Sequence, residues 1–411
     1  MVRLRERLRK PVLFLIGALL CLFTAPGVFS EGDLSLELGL SNLIMQTRET
    51  DGDKYWAWMP AGNAGFSFKS SGNKNVKADL AFSFASPEMD ISAAAGAPAG
   101  TIITPLLSLD RAYVKARFPW FRITAGKTRL GWGDGFVFNS GDVIFGSTDT
   151  SVDLTASEVR AETTWLSAVN IPLGRFTFIE GIILPPEADT ASGEIFGAVD
   201  NISGGGRIYT KAAGIKIEGG YLFDQRETNS DAEPVSVHKP YLSLQGNLIA
   251  DWYLSSSVSL PVSGDIEQSA EDSFNLSAGI FHMVQLNSIS SMTFRLEGLY
   301  KPFHSWLEEV RKSGEPKPSY ALLLYPEISY TPTDTVNLSI RTIWSPVDMS
   351  AMITAGAGWN VFEGFDLSCY AVFNAGDPDD SFAWNRDDSL WKAGADAVDS
   401  MAVMMGINYI Y

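Results

Sequence analysis

The sequence contains little cysteine, little histidine and little basic charge. Only 2 of its 411 residues are cysteine and only 3 are histidine, so a disulfide framework, a zinc site and a cysteine nucleophile have little support. No grouping of serine, histidine and carboxylate residues indicates a hydrolase, and we expect neither a cofactor nor enzymatic activity. The formal net charge is −17, and basic residues cluster only within the first ten positions. Nucleic acid is therefore not an expected partner.

Long apolar runs are also missing, apart from one at the N-terminus. Residues 11–23 form an apolar run of about 13 residues, shorter than the ~20 that a membrane-spanning helix needs. Five basic residues precede the run, and Val28-Phe29-Ser30 is typical of a cleavage site. We predict a cleaved signal peptide over residues 1–30; a lipoprotein modified at Cys21 is the alternative. Removal of residues 1–30 changes the net charge from −17 to −21 and leaves residues 31–411 as one domain.

Most of the remaining chain alternates apolar and polar residues with a period of two. In residues 76–84, apolar or small side chains occupy every second position, and Lys77, Asp79 and Ser83 fall between them. The same alternation occurs in residues 292–300, 336–344, 351–361 and 365–373. A period of two is typical of β-strands, and few of these stretches could form amphipathic helices.

Short turns and long polar loops alternate between these strands, which predicts that successive strand ends face two different compartments. The arrangement is typical of a transmembrane, antiparallel, up-and-down β-barrel. We predict eighteen strands; sixteen is the alternative, because Gly204 to Gly206 interrupt the alternation. The predicted strands are 34–46, 54–68, 76–86, 107–118, 121–128, 152–165, 175–183, 195–210, 214–223, 236–247, 249–260, 273–287, 291–301, 319–331, 335–345, 349–361, 365–374 and 397–411.

Charged residues in the middle of strands favour a barrel over a soluble sandwich, because a dry core would have to desolvate them. A water-filled lumen can accommodate them while lipid contacts the apolar face. We therefore expect the following residues to line a pore: Lys77, Asp79, Arg111, Lys115, Arg117, Arg122, Glu218, Asp251, Arg295, Glu297, Arg341 and Asp366.

The last eight residues, 404–411, resemble the C-terminal β-signal of bacterial outer-membrane β-barrel proteins of the porin type. Gly406, Tyr409 and the terminal Tyr411 match this signal, whereas Met404 departs from it. The resemblance implies insertion by the barrel-assembly machinery into the outer membrane of a two-membrane bacterium. Residues 126–139 are similar to a segment of several specialised porin families in which a strand runs into a loop, but they identify no single family.

Residues 131–147 combine glycines, which permit close backbone approach, with large aromatic side chains that need a packing partner. We interpret them as a constriction loop that folds into the pore; packing on the barrel rim is the alternative. The candidate residues of this loop are Trp132, Asp134, Phe136, Phe138 and Asp142.

Four cations share one face of two neighbouring predicted strands. Arg111, Lys115 and Arg117 precede a turn at Pro119, and Arg122 follows it. This basic row could bind anionic solutes, unless nearby carboxylates neutralise it. The acidic loops favour cations at the pore mouth, so the sequence leaves the charge selectivity open.

The leading functional prediction is a porin that lets small hydrophilic solutes or ions diffuse across the outer membrane. An outer-membrane transporter of hydrophobic compounds and a structural or adhesive surface barrel are the alternatives. The expected partners are outer-membrane lipid, the barrel-assembly machinery and small solutes, and a homotrimer is one oligomeric state that the composition allows.

Overall fold

The computed structural model describes residues 32–48, 54–70, 74–85, 107–146, 160, 162–186, 201–228, 234–307, 319–376, 380–382 and 397–411. The predicted signal peptide lies outside the described residues. One helix, α1 (Ile266–Ser273), lies between two of the strands. The strands are β1 (Gly32–Arg48), β2 (Lys54–Ser70), β3 (Val76–Ala85), β4 (Ser108–Arg117), β5 (Arg122–Thr128), β6 (Thr164–Pro172), β7 (Thr177–Leu184), β8 (Ser203–Ala212), β9 (Ile215–Thr228), β10 (Pro234–Asn247), β11 (Asp251–Ser257), β12 (Leu260–Pro261), β13 (Asn275–Gln285), β14 (Ser291–Tyr300), β15 (Leu322–Thr333), β16 (Val336–Ser345), β17 (Ser350–Phe362), β18 (Phe365–Ala375) and β19 (Ala397–Ile410).

The strands form one closed antiparallel barrel. The two-residue β12 resumes the path of β11 along β10, so the wall consists of 18 strands. The wall closes where β1 pairs with β19, in a register that runs from Glu37 opposite Ile410 to Arg48 opposite Ala397. The prediction of an eighteen-stranded up-and-down barrel is therefore confirmed. No helix in the described part of the chain is long and apolar enough to cross a membrane.

The connections differ between the two ends of the barrel. At the turn end they are short: residues 118–121, 173–176, 213–214, 248–250, 286–290, 334–335 and 363–364. In one of these turns, the side-chain Oδ1 of Asn287 accepts hydrogen bonds from the backbone N–H groups of Ile289 and Ser290, which favours the tight reversal. The opposite end, the loop end, carries most of the long connections, including residues 129–163, 262–274, 301–321 and 376–396.

The two faces of the wall differ in polarity. On β1, Leu36, Leu38 and Leu40 are 41 to 62% exposed and share the outward phase. The opposite phase of the wall strands carries buried carboxylates that face the lumen, such as Glu218 on β9 and Glu297 on β14. An apolar outside and a polar inside are the arrangement that a membrane barrel requires.

Two details differ from the sequence-based prediction. The predicted strand 152–165 is wrong in its position, because β6 begins at Thr164 and Arg160 instead bonds to Asp142 and to the carbonyl of Gly146. Gly204 to Gly206 do not interrupt a strand but lie within β8. A Cβ atom on Gly205 would lie 2.2 Å from the Tyr221 carbonyl oxygen, so a larger residue would force β8 and β9 apart.

Candidate functional site

Residues 131–146, here called the inner loop, lie within the barrel against its inner wall. Trp132, Val137 and Phe138 are fully buried. Trp132 packs with Leu166 of β6, Ile182 of β7 and Leu222 of β9, whereas Val137 and Phe138 pack with residues of β14, β15 and β16. A segment of this length reaches such separated strands only by crossing the lumen.

The first half of the inner loop is held by a charged network on β7, β8 and β9. The Trp132 indole N–H donates to Glu180 over 3.1 Å, and the Gly133 backbone N–H donates to Glu218 over 2.8 Å. Arg207 lies between these carboxylates, 2.8 Å from Glu180 and 3.0 Å from Glu218. The wall charges therefore neutralise each other and still bind the loop backbone.

Asp134 of the inner loop joins the charged network on β7 to β9 through Lys216 of β9. Its carboxylate lies 2.8 Å from the Lys216 ammonium group and accepts a hydrogen bond from the Ser243 hydroxyl on β10. Lys216 also lies 3.7 Å from Glu218. The side chain of the predicted residue Asp134 thus serves to attach the loop to the wall.

Glu297 of β14 holds the second half of the inner loop. Its carboxylate accepts hydrogen bonds from the backbone N–H groups of Phe136, Val137 and Phe138, each over 3.0 Å. The Arg295 guanidinium lies 3.8 Å from the centre of the Phe136 ring and 2.8 Å from Glu327 of β15. A carboxylate with three N–H donors is a strong anchor, because charged hydrogen bonds are stronger than neutral ones.

Asp142 stabilises the return of the inner loop toward the wall. It pairs with Arg160 over 2.6 Å and with Arg129 over 3.1 Å, and its side chain is fully buried. Both arginines flank the inner loop in sequence. They therefore tie its two ends to one carboxylate.

The basic row has a different environment. Arg111, Lys115, Arg117 and Arg122 are exposed, and none forms an ion pair with a residue that the structure describes. Arg117 and Arg122 lie directly opposite each other on β4 and β5. Lys115 lies opposite Lys77 of β3, which is also exposed. Five cations of the predicted lining therefore share one part of the inner wall.

The other predicted lining residues do not join this group. Asp79 is buried and accepts a hydrogen bond from the Tyr113 hydroxyl, while Arg341 pairs with Glu327 over 3.4 Å. Asp251 and Asp366 lie near the turn end, where each accepts a hydrogen bond from a neighbouring asparagine. The predicted set thus separates into anchors of the inner loop with their ion-pair partners, cations on β3 to β5 with the buried Asp79 among them on β3, and acids near the turn end.

Three residues of the predicted assembly signal lie on β19 or at its end. Gly406 lies opposite Ser41 of β1, and Tyr409 lies opposite Leu38. The Tyr411 backbone exchanges two hydrogen bonds with Leu36. The C-terminal residues thus contribute to the seam that closes the barrel.

Several residues of the site were missed from the sequence. Glu180, Arg207 and Glu327 share the inward phase of their strands, so a complete count of charged inward positions would have found them. Arg160 was assigned to a strand instead. Asp348, in the connection between β16 and β17, carries no periodic signal at all.

Asp348 accepts four hydrogen bonds, two from the start of β17 and two from residue 381. They come from the backbone N–H and the hydroxyl of Ser350 and from the same two groups of Ser381. Burial alone would raise the pKa of the Asp348 carboxyl, but the hydrogen bonds from Ser381 and Ser350 outweigh burial and lower the pKa below its usual value. At pH values above the usual pKa of aspartate, the ionised carboxylate of Asp348 therefore stabilises this arrangement. The stabilisation is lost as the pH falls through the lowered pKa of Asp348.

Replacing Glu297 with alanine is expected to loosen the second half of the inner loop without unfolding the barrel. Three N–H groups, two of them buried, lose their acceptor. We expect this to cost about 3 kcal/mol, which corresponds to about 100-fold faster amide exchange at Phe136 to Phe138. Arg295 keeps Glu327 as its partner. Hydrogen–deuterium exchange of the peptide that covers the inner loop measures this effect.

The matched control is Asp366→Ala, which removes another lumen carboxylate. Asp366 accepts a side-chain hydrogen bond from Asn360, and no described contact joins it to the inner loop. Its variant should leave the exchange of residues 136–138 unchanged. Equal exchange in the Glu297 variant and the wild type would contradict the anchoring role.

No family model matches the chain, and no curated protein matches it in sequence. Among solved structures, the chain is similar to OccAB4 of Acinetobacter baumannii, with a TM-score of 0.50 and 11% identity over 94% of this chain and 99% of that one. OmpF of Salmonella typhi, solved with daunomycin, has a TM-score of 0.46 and 9% identity over 92% and 97% of the two chains. The outer-membrane channel DcaP of Acinetobacter baumannii has a TM-score of 0.44 and 10% identity over 93% and 99%.

At such low identity these likenesses concern the fold and not the activity. The likeness to OccAB4 extends over nearly the full length of both chains, and it agrees with the closed wall of 18 antiparallel strands. The chain therefore has the fold of a porin-type outer-membrane β-barrel.

Proposed function

We propose that the protein is a passive channel of a bacterial outer membrane, through which small hydrophilic solutes diffuse with a preference for anions. One observation carries this proposal. The charges beneath the inner loop are paired with each other or with the loop, whereas five cations on β3, β4 and β5 are exposed and form no described ion pair.

The position of the inner loop supports a passage along one side of the lumen. Among the described residues, its polar contacts with the wall strands go to β7 through β11, β13 and β14. Those strands are therefore covered on their inner face. No described contact of the inner loop reaches β3 or β4, which carry Lys77, Arg111, Lys115 and Arg117.

The register of the cations supports a preference for anions. Lys77 lies directly opposite Lys115, and Arg117 directly opposite Arg122. Like charges at directly opposed positions of neighbouring strands repel each other, so these pairs cost the fold some stability. An anion in the lumen relieves this repulsion, and rows of Lys and Arg are a common basis of anion selectivity in pores.

The outer surface supports a location in the outer membrane. Leucines and isoleucines in the outward phase are exposed around the barrel, for example Leu254, Ile280 and Leu296. Lipid accepts such a surface, and closure of the wall satisfies the backbone groups. Gly406, Tyr409 and Tyr411 would serve the barrel-assembly machinery as the insertion signal. The constriction would consist of the inner loop.

Recording single channels from refolded residues 31–411 in a planar lipid bilayer tests the proposal. We expect stable open steps whose size rises with salt concentration, because a water-filled passage conducts ions. A barrel that refolds, as judged by its heat-modifiable migration on gels, but never conducts would contradict the channel function. Transport of hydrophobic compounds or surface adhesion would then be tested instead.

A further inference from the structure

Residues 380–382, part of a second connection at the loop end, lie next to the inner loop. Residues 380–382 lie between β18 and β19 and are held by Asp348, which is itself buried. The Ser381 backbone N–H donates to Asp348 over 2.8 Å, and the Ser381 hydroxyl donates to the same oxygen over 2.7 Å. The Phe382 N–H donates to the Ser350 hydroxyl oxygen over 3.3 Å. The Asp348 carboxylate has no ion-pair partner among the described residues, and it holds this segment through neutral hydrogen-bond donors.

The chain is able to turn toward this site because of a glycine. Gly376 directly follows β18 and has a φ of 144°, a conformation that side chains with a Cβ rarely adopt. A Cβ atom there would lie 2.7 Å from Ser350 and 2.7 Å from the Asp380 carboxylate. The close approach of residues 376 and 380 to β17 therefore depends on glycine at this position.

Phe382 connects this segment to the inner loop. Its side chain is only 3% exposed and belongs to the same apolar cluster as Val137 and Phe138 of the inner loop. The remaining members come from the inner wall: Leu299, Leu323, Tyr325 and Ile343. The phenyl ring of Phe382 therefore helps to fill the corner in which the second half of the inner loop rests.

We propose that residues 380–382 act as a strut that positions the inner loop, with Phe382 as the contact and Asp348 as its anchor. This inference rests on the proposed channel function, because the strut fixes the width of the passage. Glu297 holds the backbone of Phe136 to Phe138 from the wall, and Phe382 packs against side chains of the same stretch. Without the strut, the second half of the inner loop can leave its corner while the barrel wall stays intact.

Two variants test the strut. Phe382→Ala removes the contact, and Asp348→Asn removes part of the anchor because an amide nitrogen cannot accept from the Ser381 or Ser350 donors. In single-channel recordings we expect both variants to show several-fold more open-channel noise and more frequent transitions between conductance levels. The temperature at which the barrel loses its heat-modifiable migration should not change, whereas a purely structural role would lower it.

Phe373→Ala is the matched control, since Phe373 lies on β18 in the outward phase and is 39% exposed. It should leave the noise unchanged. Wild-type noise in both test variants, or equal noise in the control, would overturn the strut.

Hydrogen–deuterium exchange separates failure of the strut from failure of the proposed function. If the wild-type barrel does not conduct, the channel proposal fails, but the strut still predicts faster amide exchange at Val137 and Phe138 in the Phe382 variant. If the wild type conducts and exchange in this variant stays at the wild-type rate, the strut alone is overturned.

Discussion

Replacing residues 131–146 with a short glycine–serine connection is expected to raise the single-channel conductance at least about twofold, because the narrowest cross-section limits ion flow. The inner loop places the buried side chains of Trp132, Val137 and Phe138 within the lumen. The short glycine–serine connection would leave the space of these side chains to water. Conductance in a planar bilayer, compared at equal salt concentration, measures the effect.

The barrel should survive this replacement. Its wall is held by backbone pairing between antiparallel strands, which does not involve the inner loop. Arg207 keeps Glu180 and Glu218 as partners, and Arg295 keeps Glu327. Heat-modifiable migration on gels verifies folding before the conductance is read.

The control replaces residues 262–274, another connection of the loop end. This segment contains α1, none of whose residues is buried. Its replacement should leave the conductance unchanged. A folded barrel without residues 131–146 whose conductance equals that of the wild type would contradict a constriction by the inner loop.

Replacing Arg111, Lys115, Arg117 and Arg122 together with glutamine is expected to shift the channel from anion preference toward cation preference. The four side chains are exposed and have no described carboxylate partner to offset their charge. Their removal leaves the acidic residues of the chain, such as Asp366 near the turn end, to dominate the potential of the passage. The reversal potential under a potassium chloride gradient should change sign or approach that of a cation-selective pore.

The salt dependence of this shift provides an internal check. Exposed charges act over about 10 Å at 0.1 M ionic strength but only about 3 Å at 1 M, so the shift should shrink as salt rises. Arg175→Gln serves as the control, because Arg175 lies in the turn 173–176 and not on the inner wall. The role of the basic row would be refuted if the wild-type channel prefers cations and the fourfold variant has the same reversal potential as the wild type.

The order of the strands was predictable because it depends on local patterns. The alternation in β3, β14, β16, β17 and β18 places apolar residues on one face and polar residues on the other. The apolar face contacts lipid and the polar face lines the lumen, so polarity alone assigns the two faces. The boundary of β6 was not predictable, because Arg160 pairs with Asp142, and this ion pair depends on the path of the inner loop. The helix α1 depends on its Asp265 cap and was also not foreseen.

The separation of covered anchors from exposed cations in the charged lining required the folded chain. The sequence places Lys115 and Glu297 equally on inward phases and assigns both to the pore. In the structure, Glu297 is covered by residues that lie about 160 positions away in sequence, whereas Lys115 stays exposed. The position of Phe382 beside Val137 likewise joins two loops that no periodicity relates.

The sequence by itself determined the class of the fold and the polarity of the two faces, and it predicted eighteen wall strands with sixteen as the alternative. These follow from hydrogen bonding between neighbours and from a period of two, which are both local properties. Only the tertiary structure decided which lumen charges are neutralised and which have no ion-pair partner among the described residues. That outcome depends on where a long loop rests inside the barrel, and its anchors lie on strands that are distant in sequence and adjacent only after closure.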